Sequence, residues 1–270
     1  MKYFLLAPAV VLCILFVIWP MAEVFIMAMF KQHILGNTWV GFANYAALLS
    51  DHGFKQSLLN SAYYIALCVP LQVGGALFAT MAVSRLSKRW QDMVRFVFYI
   101  PCVAAGMVIA SVWGWIWHRN GPINWLFGTT INFFGSTAIA IPTVSITTSF
   151  VSMGGTVIIL LAAILSVDRE LYDAAKIDGA SNRQIKWRII LPIIMPTVWL
   201  MVLLATISAP QIIEYVMVLA PYEHSATAAY NIYSTAFIMG RYGPASAKAV
   251  ILLFWMVAMA WGKTRLTRNV

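Results

Sequence analysis

Charge is scarce in this chain and lopsided where it occurs: 10% of the residues are charged, and 9 acidic residues stand against 18 Lys and Arg. With 61% of 270 residues hydrophobic, so little charge excludes an ordinary soluble domain and puts the chain in the membrane class. The net charge of +9 does not point to nucleic acid, because the basic residues sit in short stretches between long apolar runs, as in cytoplasmic loops of membrane proteins. Cysteine is nearly absent. Cys13, Cys68 and Cys102 each lie inside an apolar run without Cys-x-x-Cys spacing or a paired His, which excludes a disulfide framework or zinc site and leaves them as small packing residues. The histidines (His33, His52, His118, His224) are too scattered for a metal site. A nucleotide-binding loop is missing: Gly262-Lys263-Thr264 has Val257 where the first Gly belongs and sits at the end of an apolar run. His-Glu-x-x-His, Gly-x-Ser-x-Gly and a mid-membrane pair of carboxylates are missing too, so no catalytic residue is assigned and the chain is not expected to be an enzyme.

What is present is a series of apolar runs. A hydrocarbon core about 30 Å thick needs about 20 apolar residues per helix. Six runs qualify, at about 3 to 30, 57 to 84, 95 to 117, 142 to 166, 191 to 219 and 244 to 262. The first is longer than the core of a signal peptide and has no clear cleavage site, so an uncleaved membrane helix is expected. With the N-terminus inside, about 13 of the 18 Lys and Arg fall on the cytoplasmic side, leaving Lys31, Lys55, Arg119, Arg241 and Lys248 outside. Both termini are then cytoplasmic. The external segment "RNGPINWLFGTTINFFGSTAIAIP" reads as a turn-rich loop, and Trp113, Trp115 and Trp117 crowd the outer end of the third helix. They fit an interfacial aromatic belt or a surface for stacking a sugar ring.

Intramembrane polar residues point to function by default. Glu214 lies about 22 residues after Pro192, roughly 33 Å at 1.5 Å per residue, hence near the outer end of the fifth helix. With Gln211 beside it and Pro210 loosening the backbone, it can face a solute cavity or reach interfacial water. Gln72 and Ser208 are open to solute contact or to helix-packing hydrogen bonds. Glu23 reads as interfacial. Pro192, Pro196 and Pro210 predict kinks in the fifth span.

The stretch "RELYDAAKIDGASNRQIKWRIILPIIMP" interrupts this apolar pattern. Leu171, Ala174, Ala175 and Asp178 have the i, i+3, i+4, i+7 spacing of one helical face, and two Ala on that stripe permit close approach to a neighbouring surface. Asp178-Gly179 is a good helix terminator, and Ser181 to Gln184 has the spacing of a capping box that starts a second helix running into the membrane. The loop therefore reads as helix, sharp turn, helix. Periodicity alone leaves open whether the first helix lies on headgroups or in a partner's groove.

"ELYDAAKIDGA", followed by "IILP", resembles the EAA signature of permease subunits in binding-protein-dependent ABC importers, with Asp173 where the signature usually has Glu. "LLAPAVVLCILFVIWP", "WVGFANYAALLSD", "LLNSAYYIALCVPLQVGGALFA", "FVFYIPCVAAGMVIASVWGWIW", "GPINWLF", "YNIYSTAF" and "GPASAKAVIL" resemble successive blocks of the sugar-type subfamily related to the maltose and glycerol-3-phosphate systems. "VLAPYEHSA" and "SFVSMGGT" depart from its usual segments. The resemblance implies an all-α integral membrane protein of six transmembrane helices with the type I ABC importer permease fold. Residues 1-56 would form the first transmembrane helix and external loop, and 57-270 a five-helix core with a coupling loop at about 167-190.

It further implies a prokaryotic inner-membrane, multi-pass subunit that imports a sugar or oligosaccharide. Its partners would be a second homologous permease, two copies of a cytoplasmic ABC ATPase, an external solute-binding protein and membrane lipid, with no nucleic acid. ATP would be bound by the partner subunits and no cofactor by this chain. Leu171, Tyr172, Asp173, Ala174, Ala175, Asp178, Gly179 and Ala180 match the motif and would form the coupling helix; Glu214, Gln211, Gln72 and Ser208 are the substrate-path candidates. The alternatives are a permease for glycerol phosphate or another polar solute, and a stand-alone secondary transporter, for which midplane charges are scarce.

Overall fold

A computed structural model of the chain describes residues 2–33, 36–84 and 86–267. Arg85 and Arg268, counted above among the inside cations, lie outside the described residues, as do the side chains of Lys2, His33, Lys263 and Arg265. The chain opens with α1 (Leu6–Met27). A two-stranded antiparallel hairpin follows, β1 (Phe30–His33) and β2 (Gly36–Trp39), then a short helix α2 (Ala43–Leu48) and the long α3 (His52–Val83). The next apolar run is divided into α4 (Lys88–Val103) and α5 (Gly106–Ile116). The loop after α5 holds α6 (Pro122–Phe127), and α7 (Thr137–Leu165) leads into α8 (Arg169–Ile177). Beyond it come α9 (Asn182–Gln211), α10 (Glu214–Leu219), α11 (Ala228–Tyr233) and α12 (Tyr242–Thr267). Among the described residues five helices are long and apolar enough to cross a bilayer, or six spans if α4 and α5 are counted as one.

The expected helix over 95–117 is not continuous: α4 and α5 meet at 101°. Ala104 and Ala105, between them, both have extended backbone (ψ 149° and 129°). Pro101, which lacks an amide to donate, sits in the last turn before the break. The run 191–219 is also interrupted. A π-helical stretch at Ile185–Ile190 leads into it, and it then tightens to a 3₁₀ turn at Ala209–Gln211 around Pro210 and stops before α10. Glu214 therefore begins a separate short helix rather than lying within the fifth span. The hairpin departs from the all-α expectation; Phe30 opposite Trp39 packs edge to face with ring centroids 5.1 Å apart, the kind of aromatic cross-strand pair that favours strands.

In lipid, apolar surface gains little by leaving the solvent, so helices are held by close packing and interhelical hydrogen bonds. The pair α3 and α7 forms the centre of the bundle on this basis. Tyr64 donates to Thr148 Oγ1 (2.7 Å) and Ser149 to the Cys68 carbonyl (3.0 Å), all four residues buried. Cys68 is thus the packing residue its sequence context indicates. Asn60 donates to the carbonyls of His224 and Ala226 (3.0 and 2.9 Å), fixing the segment before α11 onto α3.

The N-terminal end of α3 is tied to α12 by charge. Asp51 caps α3, accepting from the Phe54 amide at 2.9 Å, and its other oxygen pairs with Lys248 at 3.0 Å. Lys248, counted among the outside cations, is buried in the protein at 6% exposure; it also donates to Asn231 Oδ1 (2.8 Å) and Thr235 Oγ1 (3.1 Å) and lies over the Phe54 ring. Burial works to raise the Asp51 carboxyl, but the Phe54 amide and the Lys248 ammonium outweigh it and hold Asp51 below its ordinary value.

Candidate functional site

The polar stretch after α7 folds as an elbow whose joints are hydrogen bonds from backbone amides to backbone carbonyls and capping side chains. Asp168 caps α8, accepting from the Glu170 amide at 3.0 Å. At the other end Gly179 has φ +76°, its amide bonds the Lys176 carbonyl (3.0 Å), and the Ala180 amide reaches back to the Ala175 carbonyl (2.9 Å). Those two bonds are the Schellman arrangement, which needs a left-handed residue at Gly179. Two residues on, Ser181 and Gln184 close a reciprocal capping box: the Ser181 amide donates to Gln184 Oε1 (2.7 Å) and the Gln184 amide to Ser181 Oγ (3.3 Å). The second arm is seated by Ile185 and Ile190, both buried, and by Lys186, which donates to the Met81 carbonyl (2.5 Å) in the last turn of α3.

The expected inward stripe of α8 splits. Ala175 is buried against the bundle with Tyr172 and Ala180 beside it, whereas Leu171, Ala174 and Asp178 face away, together with Ile177. Ile177 is 87% exposed and Leu171 45%. The helix thus keeps one narrow face on its own chain and turns a second, partly apolar face outward. Asp173 points to neither; it pairs with Lys176 (3.6 Å) at the rim of a basic cleft between α8 and α4. Both groups of that pair are largely exposed, so it adds little to stability. Ile177 was missed in sequence because the i, i+3, i+4 stripe drawn through the two alanines excludes it.

The substrate-path candidates do not converge in the same way. Gln72 is half-buried and donates across the central pair to Thr156 Oγ1 (3.2 Å), the helix-packing bond that is its alternative reading. Ser208 and Gln211 lie on the last turns of α9, exposed, and bond back to their own helix at the carbonyls of Leu204 (2.9 Å) and Ile207 (2.9 Å). Glu214 is exposed and lies directly against Gly106, the first residue of α5, where a Cβ would collide with its carboxylate. The carboxylate therefore sits at the positive end of the α5 dipole, a setting created by the break in the third span and invisible to a reading of that span as continuous.

The tryptophans divide as well. Trp115 is 66% exposed, but Trp117 is buried, stacks on Trp113 (centroids 6.0 Å apart) and donates to Thr147 Oγ1 (2.9 Å). Trp113 and Trp117 are therefore packing residues, and Trp115 alone keeps the outward position of a belt. Glu23 accepts from the Trp19 indole (2.8 Å).

Comparison with known proteins is consistent along the whole chain. The profile of the family described as "Binding-protein-dependent transport system inner membrane component" matches residues 72–270. The sn-glycerol-3-phosphate transport system permease protein UgpA of Brucella abortus biovar 1 (strain 9-941) is 28% identical over 279 residues, covering 96% of this chain and 92% of the relative. Two crystal structures share the fold at 21% identity. One, of a bacterial ABC transporter involved in the import of the acidic polysaccharide alginate, has a TM-score of 0.85 and covers 100% of this chain and 95% of its own. The other, a bacterial alginate ABC transporter in complex with alginate pentasaccharide-bound periplasmic protein, has a TM-score of 0.87 and covers 99% and 94%.

Proposed function

This chain belongs to the family of binding-protein-dependent transport system inner membrane components, and on that premise we propose that it is one permease subunit of an ATP-driven importer, lining the solute path together with a second, homologous permease. Two cytoplasmic ATPase subunits supply the nucleotide chemistry for which this chain has no loop, and an external binding protein delivers the solute. Both termini and the α8 elbow face the cytoplasm.

The observation that carries this reading is the outward face of α8. An 87%-exposed isoleucine beside Leu171 and Ala174 would be a liability on a helix surrounded by water, and it becomes useful in a cleft of a motor subunit. The opposite face and the second arm are fixed to the bundle by Ala175, Ile185, Ile190 and the Lys186 bond to α3. Displacement of α8 by a closing ATPase pair is thereby delivered to α9 and, through Met81, to α3. A rigid elbow transmits such motion; a loop lying on headgroups would not need the Schellman turn at Gly179 and the reciprocal cap of Ser181 and Gln184 that fix its angle.

For the solute, we favour a neutral sugar or polyol. Among the described residues the buried polar side chains of the bundle are Ser, Thr and Asn, with Lys248 the one buried cation and already neutralised by Asp51. Hydroxyl and amide groups suit a polyhydroxylated solute. Glycerol phosphate is the second reading, supported by the name of the UgpA relative. Purification of the tagged chain from its host tests both parts: a nucleotide-binding subunit should accompany it, and the reconstituted assembly should hydrolyse ATP faster with loaded binding protein. Uptake by those vesicles from a panel of neutral sugars and glycerol 3-phosphate then assigns the solute class. A chain that moves solute by itself, with no ATPase, contradicts the reading.

A further inference from the structure

The end of the bundle that carries α8 also holds a basic cleft. Between α4, the end of α3, the last turn of α7, α8 and the start of α9 lies a cleft of about 830 Å³. Lys88 and Arg95 of α4, Arg169 and Lys176 of α8 and Lys186 of α9 line it, against a single carboxylate, Asp173. Asp173 is already paired with Lys176 (3.6 Å). Arg95 bonds Asp92 through one terminal nitrogen (3.2 Å) and keeps its Nε buried with no acceptor among the described residues. Lys88 and Arg169 have no carboxylate within ion-pair distance among the described residues.

Long cationic side chains at the end of a membrane helix ordinarily spread into the headgroups, where each is separately hydrated. Here cations from three stretches of chain converge on one cavity instead, and their mutual repulsion is relieved by an anion among them. The depth of the cavity narrows the choice. Trp90 of α4 and Trp187 of α9, both about half exposed, are sequence neighbours of these cations, and exposed Trp marks the level of the headgroups. The dominant anion at that level is phosphate. A guanidinium fork with several ammonium point charges is the chemistry that holds it, and basic pockets between membrane helices bind anionic headgroups.

We infer that this cleft binds a phosphate group, carried by an anionic phospholipid or free in solution, and that the bound phosphate ties α4, the first half of the broken span, to the α8 elbow. The inference rests on the proposed function only in assigning the cleft to the cytosolic side; the binding itself does not depend on orientation or on an ATPase.

The test uses the purified full-length chain, with its co-purifying subunits, in symmetric nanodiscs. One arm compares phosphatidylglycerol with phosphatidylcholine, reading retained lipid by native mass spectrometry. The other measures binding of radiolabelled inorganic phosphate in phosphatidylcholine alone. Lys88→Gln, an exposed change that leaves the packing intact, should weaken binding about fivefold, and Lys88→Gln with Arg95→Gln at least tenfold, while Lys55→Gln at the other end of α3 changes nothing. Retained phosphatidylglycerol lost in the variants identifies a lipid ligand; saturable phosphate binding lost in them identifies a soluble one. Absence of saturable binding of either, or binding that the two variants leave within twofold, overturns the inference.

Discussion

Gly179 offers the sharpest prediction, because only one physical effect operates there. Its φ is +76°, and a Cβ added to it would find no atom within 4 Å. Substitution is therefore opposed by backbone conformation and not by bulk. For most L-residues the left-handed region costs about 1–2 kcal/mol; Asn tolerates it better, and β-branched residues worse. At 1.4 kcal/mol per factor of ten, Gly179→Ala should reduce the population of the closed elbow about five- to thirtyfold relative to open forms. Opening the elbow gives up the Gly179–Lys176 and Ala180–Ala175 bonds that set the angle between α8 and α9. In proteoliposomes containing the assembled transporter, solute taken up per ATP hydrolysed should fall in the order Gly, Asn, Ala and Leu together, then Val. An order that follows side-chain size, with Leu far below Ala and Asn no better than Ala, would refute the reasoning.

The other predictions concern separate parts of the molecule. Ile177→Asp should leave folding unchanged, since the side chain is exposed, but weaken association with the ATPase by about 2 kcal/mol or more, as a charge placed in an apolar anchor does; a pull-down titrated with purified ATPase reads this. Asp51→Asn leaves Lys248 buried without its counter-charge and should cost about 3 kcal/mol of stability, seen as a lower melting temperature in detergent. Since the folded-state pKa of Asp51 is lowered, the wild-type advantage over Asp51→Asn should be fully present above the ordinary carboxylate range, about pH 4, and disappear as the pH falls below it. Gly106→Ala should push the Glu214 carboxylate off the start of α5; if Glu214 meets solute, Gly106→Ala and Glu214→Gln should both raise the solute concentration for half-maximal uptake while basal ATP hydrolysis is unchanged.

The parts of this architecture that were legible in sequence are those set by local chemistry. Five of the six apolar runs overlap helices long enough to span, Gly179 stands in the left-handed region its position after Asp178 implied, and Ser181 and Gln184 close the box their spacing announced. What was not legible depends on partners distant in sequence. The break at Ala104–Ala105 falls inside an unbroken apolar run, and its sequence signs, Pro101 and Gly106, are common in membrane helices that stay continuous. Lys248 looks like a loop cation until Asp51, nearly two hundred positions earlier, is seen beside it. The outward face of α8 is hidden in sequence for a similar reason: periodicity identifies a stripe, but which edge of it meets the bundle is decided by Tyr172 and Ala175 packing on residues elsewhere in the fold. For Gln72, the Thr156 bond across α3 and α7 accounts for its polarity without a solute.

The central claim is that α8 is seated in a motor subunit on the cytosolic side. Site-directed crosslinking tests it most directly: a cysteine at Ile177, in a chain with the exposed Cys13 and Cys102 changed to Ser and the buried Cys68 kept, bridged to neighbours in native membranes by a short thiol crosslinker. The account predicts one dominant adduct with an ATPase subunit, protected from membrane-impermeant thiol reagents added outside and altered in yield by ATP. Labelling of Ile177→Cys from the outside, or adducts with lipid and none with an ATPase, would contradict it.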